Sequence, residues 1–129
     1  MKWQVCTSPA DYARCSDFQY EVEGTRDKLG YPCVLAENTD GTMRGFISTN
    51  SDYGVVLSGP MVIDPKYRPR LPFARDLVTL YHYALKEAGV TSYFFSVEKE
   101  NTKMLEAVAG IGLTPYSEDV QRFWYKQTI

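Results

Sequence analysis

A short basic turn carries the residues whose types and spacing could bind an anion. Arg68 and Arg70 lie between an apolar strand predicted at 55–64 and an amphipathic helix predicted at 71–88. Two guanidinium groups at the amino end of a helix can hold a phosphate, because free N–H groups and the helix dipole add positive charge there. The alternative is a solvated basic turn, which Lys66 and Arg75 would extend into a local basic patch.

The other reactive side chains are few. Cys6, Cys15 and Cys33 are odd in number and form no C-x-x-C pair or Cys/His cluster in the sequence. We therefore expect buried, reduced thiols in a reducing compartment and no metal site. His82, the only histidine, lies in the middle of a predicted helix without a cysteine or aspartate at triad spacing, so a surface or half-buried position is expected.

The charge balance excludes some classes of function. Fourteen lysines and arginines face 16 aspartates and glutamates, which gives a net charge of -2. This balance argues against general electrostatic binding to nucleic acid or to an anionic membrane. No apolar run typical of a signal peptide follows the first residues, and no run of about 20 apolar residues predicts a membrane span. A cytoplasmic protein with neither nucleic-acid nor membrane partners is expected.

Periodicity and turn signals predict the elements that position these residues. The order is β-α-β-β-β-α-β-α-β-β, which indicates an α/β (α+β) fold in which one domain, 1–129, has a mixed central sheet flanked by helices. The strands are predicted at 2–7, 31–37, 43–49, 55–64, 91–97, 113–116 and 120–127, and the helices at 9–26, 71–88 and 101–109.

Several local signals are more specific. Asp40-Gly41 predicts a tight hairpin turn, and Gly59-Pro60 predicts a bulge or an open edge inside its strand. Residues 50–54 read as a loop. The apolar run at 91–97 is typical of a strand buried on both faces, and the 55–97 strand-helix-strand unit should cross over right-handedly.

Three segments in this order resemble the GNAT superfamily of N-acetyltransferases. They are the strand end V-I-D-P-K-Y-R at 62–68, the helix that ends in A-G-V at 88–90, and the helix that begins at Asn101 and ends before Gly112-Leu113. The resemblance covers most of the chain and is best from Leu57 to Leu113. It implies a GNAT-like domain, similar to the small GNAT-like proteins of tailed bacteriophages.

In that superfamily the turn after the central strand cradles the pyrophosphate of acyl-CoA with backbone N–H groups and glycines. The resemblance therefore implies a set of cofactor-binding positions if acyl-CoA binds. They are Val62, Ile63, Arg68, Arg70, Phe73, Ala74 and Asn101. Glu37 and Asp64 are the candidates for general base, although Asp64 directly precedes Pro65 and is expected to be a turn residue. Tyr116 and Tyr125 are the candidates for general acid.

The chain departs from the superfamily at the cradle. The two glycine positions fall on Leu71 and Phe73, and Pro69 and Pro72 have no N–H to donate. The position of the tyrosine that protonates the leaving thiolate in many members falls on Val108. These departures indicate a degenerate member with a closed or abolished cradle.

Two functions follow from the resemblance. The first is a non-catalytic binding or structural protein, for example in phage virion assembly, that has no cofactor and a protein partner or a second copy of itself as partner. The alternative is an active, divergent N-acetyltransferase that uses acetyl-CoA as cosubstrate and in which an amine attacks the thioester directly in a ternary complex. The first function would place the protein in the cytoplasm or within a virion.

Overall fold

The elements of this computed structural model, which describes residues 1–52 and 55–129, follow the predicted order and form an α/β fold. A seven-stranded mixed sheet carries three helices. The strands are β1 (Lys2–Val5), β2 (Gly30–Glu37), β3 (Met43–Asp52), β4 (Val55–Ile63), β5 (Ser92–Glu98), β6 (Ser117–Glu118) and β7 (Arg122–Thr128). The helices are α1 (Pro9–Glu23), α2 (Leu71–Glu87) and α3 (Thr102–Gly110).

The sheet order is β1-β2-β3-β4-β5-β7-β6. Strands β1 to β4 form an antiparallel meander, β5 is parallel to β4, and β7 runs antiparallel to β5. The parallel step needs the crossover that α2 provides, because a parallel partner cannot be reached by a tight turn. The hairpin between β2 and β3 turns at Gly41, whose φ of 87° is the left-handed conformation that glycine adopts without strain.

The predicted bulge in β4 is confirmed by the strand register. Ile47 of β3 pairs with Met61, whereas Thr49 pairs with Ser58, so β4 holds one residue more than β3 over this stretch. The extra residue falls at Gly59-Pro60. Among the described residues, β4 meets β5 at a single pairing, Leu57 with Phe94. The two strands therefore separate after Leu57, and the carboxyl half of β4 is held by β3 alone.

Helices cover the two faces of the sheet unequally. On one face α2 packs through Phe73, Leu77, Tyr81, Ala84 and Leu85 against strands β1 to β3 and β5, and α3 continues this layer over β5 and β7. On the other face α1 packs through Cys15 and Phe18 over β2, β3 and the end of β4. Each helix thus turns its buried side chains toward the sheet.

Local capping sets where the helices begin and end. Ser8 caps α1 by accepting the Asp11 N–H at 3.3 Å, with Pro9 at the first helical position. The helix ends at Glu23 because Gly24 takes a φ of 74°, which places its end three residues before the predicted one. Asn101 caps α3, where its Oδ1 accepts the Met104 N–H at 3.2 Å.

Three segments of the structure differ from the prediction made from the sequence. Residues 50–52 continue β3, because they pair with the first residues of β4, and Tyr53 and Gly54 of the predicted loop lie outside the described residues. Residues 113–116 are not a strand; β6 is Ser117–Glu118, in the predicted turn. Strand β5 is less buried than predicted: Tyr93 and Val97 on its helix-covered face are buried, whereas Phe94 and Ser96 on the other face are only half-buried.

None of the helices in the described ranges has both the length and the apolar character needed to cross a membrane.

Candidate functional site

The predicted anion turn is a run of tight turns between β4 and α2. Asp64 begins it: its side chain accepts the Lys66 N–H at 3.0 Å, and its carbonyl accepts the Tyr67 N–H at 2.8 Å. The Tyr67 carbonyl then accepts the Arg70 N–H at 3.0 Å. Burial acts to raise the pKa of Asp64, but the Lys66 N–H and the Arg44 guanidinium outweigh it and lower that pKa. Asp64 is thus an ionised turn residue, as its place before Pro65 indicates.

Few backbone donors of this segment are free for an anion. Pro69 and Pro72 have no N–H. Arg70 donates to Tyr67, and Phe73 and Ala74 both donate to the Arg70 carbonyl. Over residues 69–74, only the Leu71 N–H has no acceptor within the described ranges 1–52 and 55–129. One amide is a poor anion site, because a pyrophosphate needs several converging donors.

The two arginines of the turn are engaged within the chain. The Arg68 Nε donates to the Ile63 carbonyl at 3.2 Å, and the Arg70 guanidinium lies 4.5 Å from the centre of the Tyr67 ring. Both side chains are exposed to solvent. They can therefore move, but in this structure they do not converge on one point.

The residues at the two glycine positions take opposite directions. Phe73 is 6% exposed, and its ring centre lies 5.4 Å from that of Trp3 and 5.1 Å from that of Tyr67. Leu71 is 74% exposed. Phe73 therefore belongs to the core, and it is Leu71 that stands at the surface beside the amino end of α2.

A shallow depression of about 580 Å³ lies at this end of α2, on the β1 side. Its lining is mostly apolar, with Arg70 and Asp76 as the charged members. The lining residues are Met1, Trp3, Tyr67, Pro69, Arg70, Leu71, Pro72, Phe73 and Asp76. Such a lining suits apolar side chains better than it suits a doubly charged pyrophosphate.

The remaining predicted cofactor positions do not gather around this depression. Val62 is buried under α1, whereas Ile63 packs on the opposite, α2-covered face. Asn101 uses its side-chain oxygen to cap α3. Cofactor roles for these residues stay predictions.

The catalytic candidates Glu37 and Tyr116 lie near opposite edges of the sheet. Glu37 ends β2; it is 5% exposed, forms an ion pair with Arg14 and lies 3.8 Å from the Lys2 ammonium. Tyr116 is 68% exposed beside β6, and its ring packs on Phe94. Strands β3, β4, β5 and β7 lie between them. The Tyr116 ring reaches back to β5, which is three strand spacings of about 4.8 Å from β2, so the two side chains do not meet in this structure. Their catalytic roles stay predictions.

Val108 is part of a small apolar core. It is 5% exposed and packs with Val97 and Tyr125 between α3 and the sheet. A tyrosine at this position would need space that the core does not offer. The close packing of α3 against the sheet is therefore matched to a valine at position 108 and not to a tyrosine.

His82 has the half-buried position that the sequence predicts. Its Nε2 lies 2.8 Å from the hydroxyl of Tyr93, and the two rings meet edge to face. Burial lowers the pKa of His82 from its usual 6.5. The arrangement joins α2 to β5 and contains no nucleophile, so it is structural.

The three cysteines form a cluster of sulfur atoms that their spacing in the sequence does not reveal. Among the described residues, the Sγ atoms of Cys6, Cys15 and Cys33 all lie within 4.8 Å of one another, although the sequence has no C-x-x-C pair. All three are free and buried, as predicted. Thiol hydrogen bonds from Cys15 and then Cys33 lower the pKa of Cys6, whereas hydrogen bonds from Cys33 and then Cys6 raise the pKa of Cys15. The antiparallel register of β1 and β2, which places Val5 opposite Val34, is the signal that could have found Cys6 facing Cys33.

Comparison with solved structures identifies the fold. The ribosomal-protein-S18-alanine N-acetyltransferase of Escherichia coli superposes with a TM-score of 0.72 at 14% identity, covering 99% of this chain and 94% of that one. A GNAT-family acetyltransferase of Listeria monocytogenes gives 0.73 at 11% identity, over 98% and 95% of the two chains. The PaiA N-acetyltransferase of Thermoplasma acidophilum, solved with coenzyme A, gives 0.70 at 15% identity over 100% of both.

No protein-family model and no curated protein matches the sequence.

Proposed function

The chain has the GNAT acetyltransferase fold, and we propose that it uses this fold as a non-catalytic binding or structural domain. Its partner is another protein or a second copy of the chain, as in the assembly of a phage virion. Three buried thiols without a disulfide fit a reducing compartment such as the cytoplasm.

One observation carries the proposal: over residues 69–74, where a pyrophosphate would be cradled, Leu71 has the single amide without an acceptor among the described residues. The prolines at 69 and 72 remove two donors, and the amides at 70, 73 and 74 are used within the chain. The exposed Leu71 side chain stands where close backbone approach is needed. A role in binding protein explains an exposed leucine in an apolar depression better than a role in binding CoA does.

One observation supports the alternative, an active acetyl-CoA-dependent N-acetyltransferase: the separation of β4 and β5. The strands diverge after the pairing of Leu57 with Phe94, which leaves backbone groups on the carboxyl half of β4 without a β5 partner. Such groups could polarise a thioester carbonyl. Acetyl-CoA would then be a cosubstrate, and the amine would attack it directly.

Calorimetric titration of the full chain with acetyl-CoA separates the two functions. We expect no binding at millimolar ligand, which corresponds to an affinity weaker than about 4 kcal/mol. Micromolar binding that is lost when Arg68 and Arg70 are changed to alanine would overturn the proposal. Arg75→Ala is the matched control, because Arg75 is also exposed but lies one turn inside α2.

A triple variant tests whether residues 69–72 are what prevents acetyl-CoA from binding. Replacing Pro69, Leu71 and Pro72 with glycine restores two N–H groups and removes the exposed side chain, all at exposed positions. The variant should bind acetyl-CoA measurably where the wild type does not. If it folds, by circular dichroism, and still gives no heat, the loss of binding has another origin. Sedimentation of the wild-type chain at increasing concentration shows whether the partner is a second copy.

A further inference from the structure

Three cysteines from three separate elements meet beneath α1. Cys6 follows the last residue of β1, Cys15 lies two turns into α1, and Cys33 lies in β2. They are 1%, 0% and 0% exposed. The Cys6 N–H donates to the Cys33 carbonyl at 2.8 Å, which fixes the two backbones side by side. Cys15 then reaches the same point from the helix above them.

The distances between the sulfur atoms match a metal site more closely than a disulfide. The Sγ atoms of Cys6 and Cys15 lie 4.0 Å apart, and no pair in the cluster exceeds 4.8 Å. Three sulfurs around one ion at about 2.3 Å lie about 4.0 Å from each other in a plane. A disulfide instead requires about 2.05 Å. One ion would thus fit with shifts of less than about 1 Å.

We propose that Cys6, Cys15 and Cys33 form a site for one soft, thiophilic metal ion, with three-coordinate Cu(I) as the ion of choice. Thiolate ligands select Cu(I) and Zn(II) among the biological metals. Structural zinc is almost always four-coordinate. In the part of the chain that the structure describes, no histidine, carboxylate or fourth cysteine joins the three sulfurs, so the donor number favours Cu(I).

The site would fasten α1 to the sheet. The other apolar contacts of α1 with the sheet come from few side chains, chiefly Phe18 with Tyr12 and Val22 beside it. Metal binding releases thiol protons, and the single positive charge of Cu(I) offsets one thiolate charge that burial would otherwise penalise. Because the ion binds the assembled cluster more tightly than the separated cysteines of an unfolded chain, it should raise the melting temperature.

The test begins with the reduced wild-type chain under anaerobic conditions. It is titrated with Cu(I) against a coloured Cu(I) chelator, and separately with Zn(II) against a coloured zinc chelator. We expect one Cu(I) per chain, held against the chelator, with a thiolate-to-copper charge-transfer band. X-ray absorption should show three sulfur neighbours at about 2.3 Å. Zinc should bind more weakly, and preferred 1:1 zinc binding would overturn the choice of Cu(I).

Variants locate the site. Cys6→Ala, Cys15→Ala and Cys33→Ala should each weaken Cu(I) binding by more than about 100-fold, beyond what loss of an outer-shell partner typically costs. Met43→Leu is the matched control: Met43 is a buried sulfur residue of the same core, 8% exposed, and this exchange preserves volume. It should leave the copper affinity unchanged.

Two results would show that the cysteines are only packed thiols. One is failure of the wild-type chain to retain Cu(I) against the chelator. The other is 1:1 binding that survives in a folded Cys15→Ala variant. If a variant does not fold, the sulfur count from X-ray absorption of the wild-type complex decides: three sulfurs support the site, and two or fewer overturn it.

Discussion

Single atoms decide which glycines of this chain can be replaced. A Cβ on Gly30, at the start of β2, would lie 2.3 Å from the carbonyl oxygen of Thr49 on the neighbouring strand. That oxygen belongs to the backbone, so one of the two strands would have to move. A Cβ on Gly110, at the end of α3, would meet nothing within 4 Å. Gly30 and Gly110 therefore differ in how much room a side chain would have.

We predict opposite effects for alanine at these two positions. Gly30→Ala should lower the free energy of unfolding by about 1–3 kcal/mol, the usual cost of overpacking. Gly110→Ala should raise it by about 0.4–1 kcal/mol, because alanine restricts the unfolded chain at a helical position. Urea unfolding followed by circular dichroism measures both. Equal effects of the two variants would contradict the steric origin.

At the scale of elements, a buried chain of hydrogen bonds ties α2 to the sheet. The Thr49 hydroxyl donates to the Pro32 carbonyl at 2.6 Å, and the hydroxyl of Tyr81 lies 2.8 Å from the same Thr49 oxygen. Thr49 has one hydroxyl proton and gives it to Pro32, so Tyr81 must be the donor to Thr49. Burial raises the pKa of Tyr81, which keeps this donor protonated. This chain of hydrogen bonds joins β2, β3 and α2.

Removing the Tyr81 hydroxyl and removing the Thr49 hydroxyl should lower the free energy of unfolding by different amounts. Tyr81→Phe deletes one donor and should destabilise the protein by about 0.5–1.5 kcal/mol. Thr49→Val deletes the central hydroxyl, so the Pro32 carbonyl loses this donor and the Tyr81 hydroxyl loses this acceptor, and we expect a loss of about 2–4 kcal/mol. Unfolding in urea tests the order. A larger loss for Tyr81→Phe would contradict the proton assignment.

At the scale of the whole molecule, α2 bridges two parts of the sheet. Among the described residues, β1 to β4 meet β5, β7 and β6 through one strand pairing, Leu57 with Phe94. The helix spans this weak seam, because Leu77 packs over the meander while Tyr81 and His82 contact Tyr93 of β5. The integrity of the sheet therefore depends on contacts made by its covering helix.

This bridge predicts a dependence of global stability on pH. Burial lowers the pKa of His82 below 6.5 in the folded state. At low pH the unfolded chain binds a proton on His82 that the folded chain does not bind. The contribution of His82 to the free energy of unfolding is therefore fully present above pH 6.5 and is lost as the pH drops below it. The loss should be a fraction of the roughly 1.4 kcal/mol that one pKa unit represents, because the ring is half-exposed.

Urea unfolding at about pH 7.5 and about pH 5.5 measures this difference. His82→Gln should lose less stability than the wild type between the two conditions. Tyr83→Phe, a neighbouring exposed position, is the control and should follow the wild type. The carboxylates with lowered pKa values, Asp11 and Asp64, start to lose their contribution only near 3.8, below this range. An identical pH dependence of His82→Gln and wild type would refute the assignment.

The sequence by itself determined the features that depend on neighbouring residues. The element order, the start of α3 at Asn101 and the bulge at Gly59-Pro60 follow from local patterns, and the structure confirms them. The two prolines of the turn show in the sequence that amides are missing there. Each of these signals acts over a few residues, so no knowledge of distant partners is needed.

Only the tertiary structure decided how distant residues meet. It turns Phe73 into the core and Leu71 outward, and it pairs Glu37 with Arg14. The fold places two catalytic candidates, Glu37 and Tyr116, near opposite edges of the sheet. It also assembles the three cysteines, since their contact depends on the register of β1 with β2 and on the seat of α1. The same holds for the anion turn. Its two missing donors could be read from Pro69 and Pro72, but the use of the amides at 70, 73 and 74 depends on how the chain folds back on itself.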